Sequence, residues 1–136
     1  MENYIRTYDE VLDRSICKQL IEKFEINKDQ HIKTELKGHR QFTEINLNEH
    51  ADWKNIVADL YQHLTPNYET ARRFLVFFLY LDQNEKGWTS FSNYDMKIQP
   101  ERGKLLMFPP TWTYLHTGHK PVDRPKYILG SYLHYT

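Results

Sequence analysis

The run RFLVFFLYL, residues 73 to 81, constrains this chain more than any other stretch. It is apolar at consecutive positions, so neither the period of an amphipathic helix nor that of a half-exposed strand describes it. Both of its faces need cover. It also falls well short of the roughly 18 apolar residues of a membrane span. Its Phe, Val and Tyr content, and the polar DQNEKG turn that follows, favour a strand buried on both sides. Such a strand demands further layers, and the rest of the 136-residue chain has to supply them.

Downstream, MKIQP (residues 96 to 100) and KLLMFPP (104 to 110) read as short strands joined by a turn at Arg102 and Gly103. KYILGSYLHY (126 to 135) reads as the last strand. Its period of two puts Lys126, Ile128, Gly130, Tyr132 and His134 on one face, and Tyr127, Leu129, Ser131, Leu133 and Tyr135 on the other. Upstream, YIRTYD (4 to 9) reads as a short edge strand. Asp13 caps a helix with the stripe Ile16, Cys17, Leu20, Ile21 and Phe24. Polar residues 27 to 38 read as a loop and RQFTEINL (40 to 47) as a strand. Ala51, Trp53, Ile56, Val57, Leu60, Tyr61 and Leu64 form the stripe of a second helix, which Pro66 ends. The expected fold class is α+β: a sheet sandwich with two N-terminal helices packed on one sheet. It is read as a single domain of residues 1–136, helical over 1–66 and β-rich over 72–136.

Composition narrows the function classes. Eighteen basic residues balance eighteen acidic ones, so no whole-protein field draws nucleic acid or an anionic membrane, and neither is expected as a partner. The single cysteine, Cys17, excludes an intrachain disulfide and suits a reducing compartment. The charged start MENYIRTYDE lacks a signal-peptide core, and a cytoplasmic location is the expectation.

Two polar residues stand out in the β-rich half. A lysine in an apolar strand is costly unless its ammonium meets an anion or sits at a wet strand end, and Lys126 fits either description. His116, taken alone, reads as a hydrogen-bonded loop histidine as well as it reads as a ligand. Their spacing sharpens the choice. Tyr80-Leu81-Asp82, the loop Gly87-Trp88-Thr89-Ser90-Phe91, the pattern Ile98, Pro100, Gly103, Leu105 and Phe108, then His116 and Lys126 ten residues on, together resemble the distal half of the Fe(II)/2-oxoglutarate dioxygenases in the prolyl 4-hydroxylase-like branch. The match runs over residues 72 to 135, nearly half the chain.

The resemblance implies a double-stranded β-helix (jelly-roll, cupin-like) core, with Fe(II) and 2-oxoglutarate as cofactors and a peptide or protein as substrate. By it, His116 is the distal iron ligand and Lys126 pairs with the far carboxylate of 2-oxoglutarate. His134 lies near the cosubstrate, and Tyr80, Thr89 and Arg73 support the pocket. Two histidines and one carboxylate on one face leave iron positions for cosubstrate and oxygen, and a lysine supplies a fixed point charge for the remaining carboxylate.

The family's first two iron ligands form a His-x-Asp motif just before the central strand. YQHLTPNYETARRF stands there instead, with no such motif, so the core reads as truncated. His50-Ala51-Asp52 has the right letters but opens the second helix, where positions i and i+2 diverge by about 200°. The pair ranks only as a reserve set of partners for His116. His63 at that helix's end, with Asp59 or Glu69, reads as a surface histidine favoured by the helix dipole. His119 reads as exposed in the TGHKP turn, and His31 and His39 as loop residues. A shortened barrel exposes sheet edges that proteins usually cover, which points to a homodimer. Three readings stand open: a hydroxylase of prolyl or other peptide side chains, a degenerate non-catalytic relative that serves as a binding or structural module, and a protein that shares only the sheet architecture.

Overall fold

The apolar run forms a strand at the centre of a four-stranded antiparallel sheet. The computed structural model describes residues 4–36, 40–64 and 75–133, with the backbone alone described at 36, 40–41 and 61–64. In chain order the elements are β1 (Arg6–Tyr8), α1 (Arg14–Ile26), β2 (Ile32–Leu36), β3 (Arg40–Glu44), α2 (Lys54–Leu64), β4 (Leu75–Tyr80), β5 (Thr89–Phe91), β6 (Met96–Ile98), β7 (Leu105–Phe108), β8 (His116–Gly118) and β9 (Ile128–Leu133). Two compact units emerge: Met1–Lys18 with Tyr68–Thr136, and Gln19–Asn67. The division falls inside α1.

In the first unit the large sheet has the order β1-β7-β4-β9. With β7 on one side and β9 on the other, both edges of β4 are paired and both of its faces are covered, as its apolar run requires. A second sheet, β6-β5-β8, is also antiparallel. The two share one core. Val76 and Tyr80 of β4, Leu106 and Phe108 of β7 and Phe91 of β5 are buried together with Ile5 and Tyr114. Phe91 meets Phe108 edge to face, at 4.9 Å between ring centres, one of the contacts that join the sheets. Burying side chains of this size stabilises by about 1.5–3 kcal/mol each.

The turn read at Arg102 and Gly103 forms, with the Lys104 N–H donating to the Glu101 carbonyl at 3.0 Å. The residues around Arg102 and Gly103 do not close a hairpin, because β6 pairs with β5 and β7 with β4. The chain crosses from one sheet to the other there. Gly103 adopts φ +79°, donates its N–H to the Tyr80 carbonyl at 2.8 Å and accepts the Val11 N–H at 2.9 Å. A Cβ at this position would lie 2.6 Å from the Leu12 carbonyl oxygen, so glycine is required on two counts. The first turn of α1 begins at Asp13, whose carboxylate accepts from the Ser15 amide at 2.7 Å. Burial pushes the Cys17 thiol in that turn above its usual range.

The second unit holds the later turns of α1, an antiparallel ribbon of β2 and β3, and α2. The expected loop over 27–38 contains a strand. IKTEL alternates apolar with charged residues, but its polar surroundings hide the period. Trp53 is buried here, with its Nε1 donating to Gln30 at 2.7 Å and the Lys23 ammonium 4.8 Å from its ring centre. Among the described residues no helix is long and apolar enough to cross a membrane.

Candidate functional site

Three of the sequence-predicted residues meet inside the first unit. Tyr80, the last residue of β4, is fully buried, and its hydroxyl shares a 2.7 Å hydrogen bond with Thr89 Oγ1 at the start of β5. Lys126, two residues ahead of β9 rather than within it, sends its Nζ to the same Thr89 oxygen at 3.4 Å. That ammonium also lies 5.6 Å from the centre of the Tyr80 ring. A Cβ added at Gly118 of β8 would come 3.9 Å from Nζ, so the amine extends across β8 as well. Residues far apart in sequence converge because β4 pairs with β9 and β5 with β8, and β4 and β5 share one core.

The electrostatics mark the lysine as unusual. Burial holds its pKa down to about 8, and among the described residues no carboxylate is paired with it. Burial pushes the Tyr80 phenol up to about 12, against the smaller opposing effect of the Thr89 hydrogen bond. A half-buried cation beside the Thr89 hydroxyl and the Tyr80 ring, with no counter-charge among the described residues, fits a carboxylate ligand.

His116 opens β8 opposite Phe91. Its residue surface is exposed, yet its ring is seated on aromatics: the ring centre of Phe108 is 4.7 Å away, and those of Phe78 and Phe91 are each 5.9 Å away. Nδ1 sits 3.1 Å from the Tyr114 carbonyl, an acceptor, so Nδ1 is the nitrogen that donates, and in the neutral ring the lone pair falls on Nε2. Histidine ligands are commonly oriented this way. A Cβ at Gly118, two residues along the same strand face, would meet the Lys126 amine, which places His116 and Lys126 toward one flank of the core.

The iron's remaining ligands do not follow. Among the described residues no group of three or more His, Cys, Asp or Glu side chains gathers where a metal would sit. Asp52 is engaged within the second unit, 3.2 Å from Lys23 Nζ and 3.2 Å from Gln30 Nε2. His50 is extended, at φ −119° and ψ 121°, ahead of the short turn Ala51–Trp53. The described residues therefore fit the dicarboxylate and do not by themselves fit the iron. His134, His39, Glu69 and Arg73 lie outside the described residues, as does the side chain of His63.

One histidine is misjudged from sequence. His119 is half-buried rather than exposed: its N–H donates to the Trp88 carbonyl at 2.9 Å and its Nε2 lies 2.7 Å from Ser90 Oγ. No sequence spacing announces that pair, because it depends on the register of β5 against β8. The phenylalanine seat under His116 is equally silent, since those residues read only as core.

No family model matches the sequence, and no curated protein matches it. Solved structures do match. A viral collagen prolyl hydroxylase from Paramecium Bursaria Chlorella virus-1, in its 2OG complex, superposes with a TM-score of 0.53 at 17% identity, over 95% of this chain and 93% of its own. A Pseudomonas putida prolyl-4-hydroxylase gives a TM-score of 0.57 at 12% identity, over 98% of this chain and 94% of that one. The chain thus has the fold of viral and bacterial prolyl 4-hydroxylases, members of the Fe(II)/2-oxoglutarate dioxygenase family.

Proposed function

We propose that this protein belongs to the Fe(II)/2-oxoglutarate dioxygenase lineage, with a double-stranded β-helix core, and binds 2-oxoglutarate or a closely similar dicarboxylate through Lys126. The observation that carries the reading is the half-buried Lys126 ammonium, held beside Thr89 and Tyr80 with no carboxylate paired among the described residues. A ligand carboxylate there restores the counter-charge that burial withholds, and the Thr89 hydroxyl donates a further hydrogen bond. His134, which follows β9, is proposed as a second contact to the same ligand.

Binding without turnover is the form of the function we favour, because Asp52 is already committed to Lys23 and Gln30 and no metal-binding group gathers among the described residues. Hydroxylation of a prolyl or other peptide side chain is the second reading. It is supported by the His116 tautomer, which leaves Nε2 as a lone-pair donor. Iron would supply oxygen activation in that case, and His116 is the one residue here proposed to hold it. Titration calorimetry with 2-oxoglutarate, with and without Fe(II), decides between these readings. We expect binding that is independent of metal and lost in Lys126→Ala. Absence of heat under both conditions would sink the proposal, and Fe(II)-dependent succinate release abolished by His116→Ala would establish the hydroxylase instead.

A further inference from the structure

The large sheet ends at β9, and this edge differs from the others. Edge strands β1, β6 and β8 are three residues long, and β1 and β6 carry Arg6 and Lys97. Short length and charge are common protections against edge-to-edge pairing. β9 has neither: it runs six residues, ILGSYL, without a charge or a proline. Among the described residues it pairs on one side only, with β4.

Its free side can be read residue by residue. The Leu81 N–H donates to the Tyr127 carbonyl at 3.0 Å, so Tyr127 and alternate residues after it, Leu129, Ser131 and Leu133, turn their main-chain groups toward β4. Ile128, Gly130 and Tyr132 therefore point theirs outward. Ile128 and Tyr132 put their side chains on the core-facing side, opposite Tyr80 and Val76 of β4, and Gly130 lies between them opposite Phe78. Yet Ile128 remains 38% exposed and Tyr132 59%, so the core is uncovered where β9 ends it.

We propose that the protein forms a two-fold homodimer in which β9 pairs antiparallel with β9 of a second copy, Gly130 lying on the axis. In that register all the outward main-chain groups of one strand meet those of the other. Ile128 then stands across from Tyr132 of the second copy, twice, an aliphatic–aromatic cross-strand pair on the face that is uncovered in the single chain. Gly130 faces Gly130, where no side chains collide. The strand carries no charge to repel its own copy, and the chain as a whole is neutral. The resulting sheet is continuous through both copies. This inference stands apart from the functional reading and does not depend on Lys126.

Cysteine cross-linking tests the register. Gly130→Cys places two thiols on residues whose Cα atoms are about 5.5 Å apart, within the range a disulfide spans. A Cβ at Gly130 meets Phe78 at 3.8 Å, ordinary contact, so the substitution is tolerated. The native Cys17 is buried and does not compete. Under diamide oxidation Gly130→Cys should give a covalent dimer on a non-reducing gel, whereas Ser131→Cys, which faces Leu129 of the other copy, should not. Sedimentation supplies the second readout. The wild-type chain should sediment at twice the monomer mass. Ile128→Lys with Tyr132→Lys should reduce it to monomer, and Ile128→Lys with Tyr132→Glu should restore the dimer through complementary pairs. A monomeric wild type, equal cross-linking of the two cysteine variants, or a doubly lysine-substituted protein that still dimerises would each overturn the proposal.

Discussion

Lys126 bears its charge at a cost that no carboxylate among the described residues offsets. The amine of the folded chain loses its proton at about pH 8, whereas an unfolded lysine holds one to roughly pH 10.4. Between those values the unfolded state binds more protons, so this group makes the folded state more stable as pH rises through that window, and less stable below it. Lys126→Met should therefore raise the melting temperature at pH 7 in the absence of ligand. The gain over wild type should shrink above pH 8 and vanish near pH 10.5, as thermal melts of both proteins across pH will show. Thr89 is the hub of the same cluster. Thr89→Val leaves the buried Tyr80 hydroxyl without its partner and should cost about 1–3 kcal/mol in urea unfolding. Asp52→Asn, by contrast, should leave 2-oxoglutarate binding unchanged in calorimetry, because that carboxylate serves Lys23 and Gln30.

At the scale of elements, the sequence is legible where a strand's period matches its burial. The consecutive apolar residues of β4 are buried on both faces, and the alternation of β9 reappears as alternating exposure. Legibility fails where pairing partners are not local. β6 and β7 are close in sequence but belong to different sheets, a fact set by Phe91 and Phe108 packing between the layers rather than by the turn itself. It fails again for β2, whose lysine and glutamate resemble loop residues until β3 is seen beside them. Tyr80, Thr89 and Lys126 are legible through the resemblance that their motifs carry rather than through period or spacing by itself. The Ser90–His119 pair is not legible, because it rests on cross-strand register. The crossover at Gly103 gives this scale its own test. Gly103→Ala meets both the positive φ and the Leu12 carbonyl, and should lower stability by at least about 1–3 kcal/mol in chemical denaturation.

For the first unit taken whole, stability depends on one aromatic core that also seats His116. Phe108 is fully buried and touches Phe78, Phe91 and His116. Phe108→Ala should cost about 3–5 kcal/mol, read by urea unfolding followed by tryptophan fluorescence. The pairing of β1 with β7 has a further consequence. Arg6 through Tyr8 find their partners at Leu105 through Met107, so β1 is completed by a strand far along the chain. That strand, and the buried Ile5 before it, reach their places only once β7 is present to pair with β1. The sandwich therefore closes through pairings distant in sequence, which fold at slow rates.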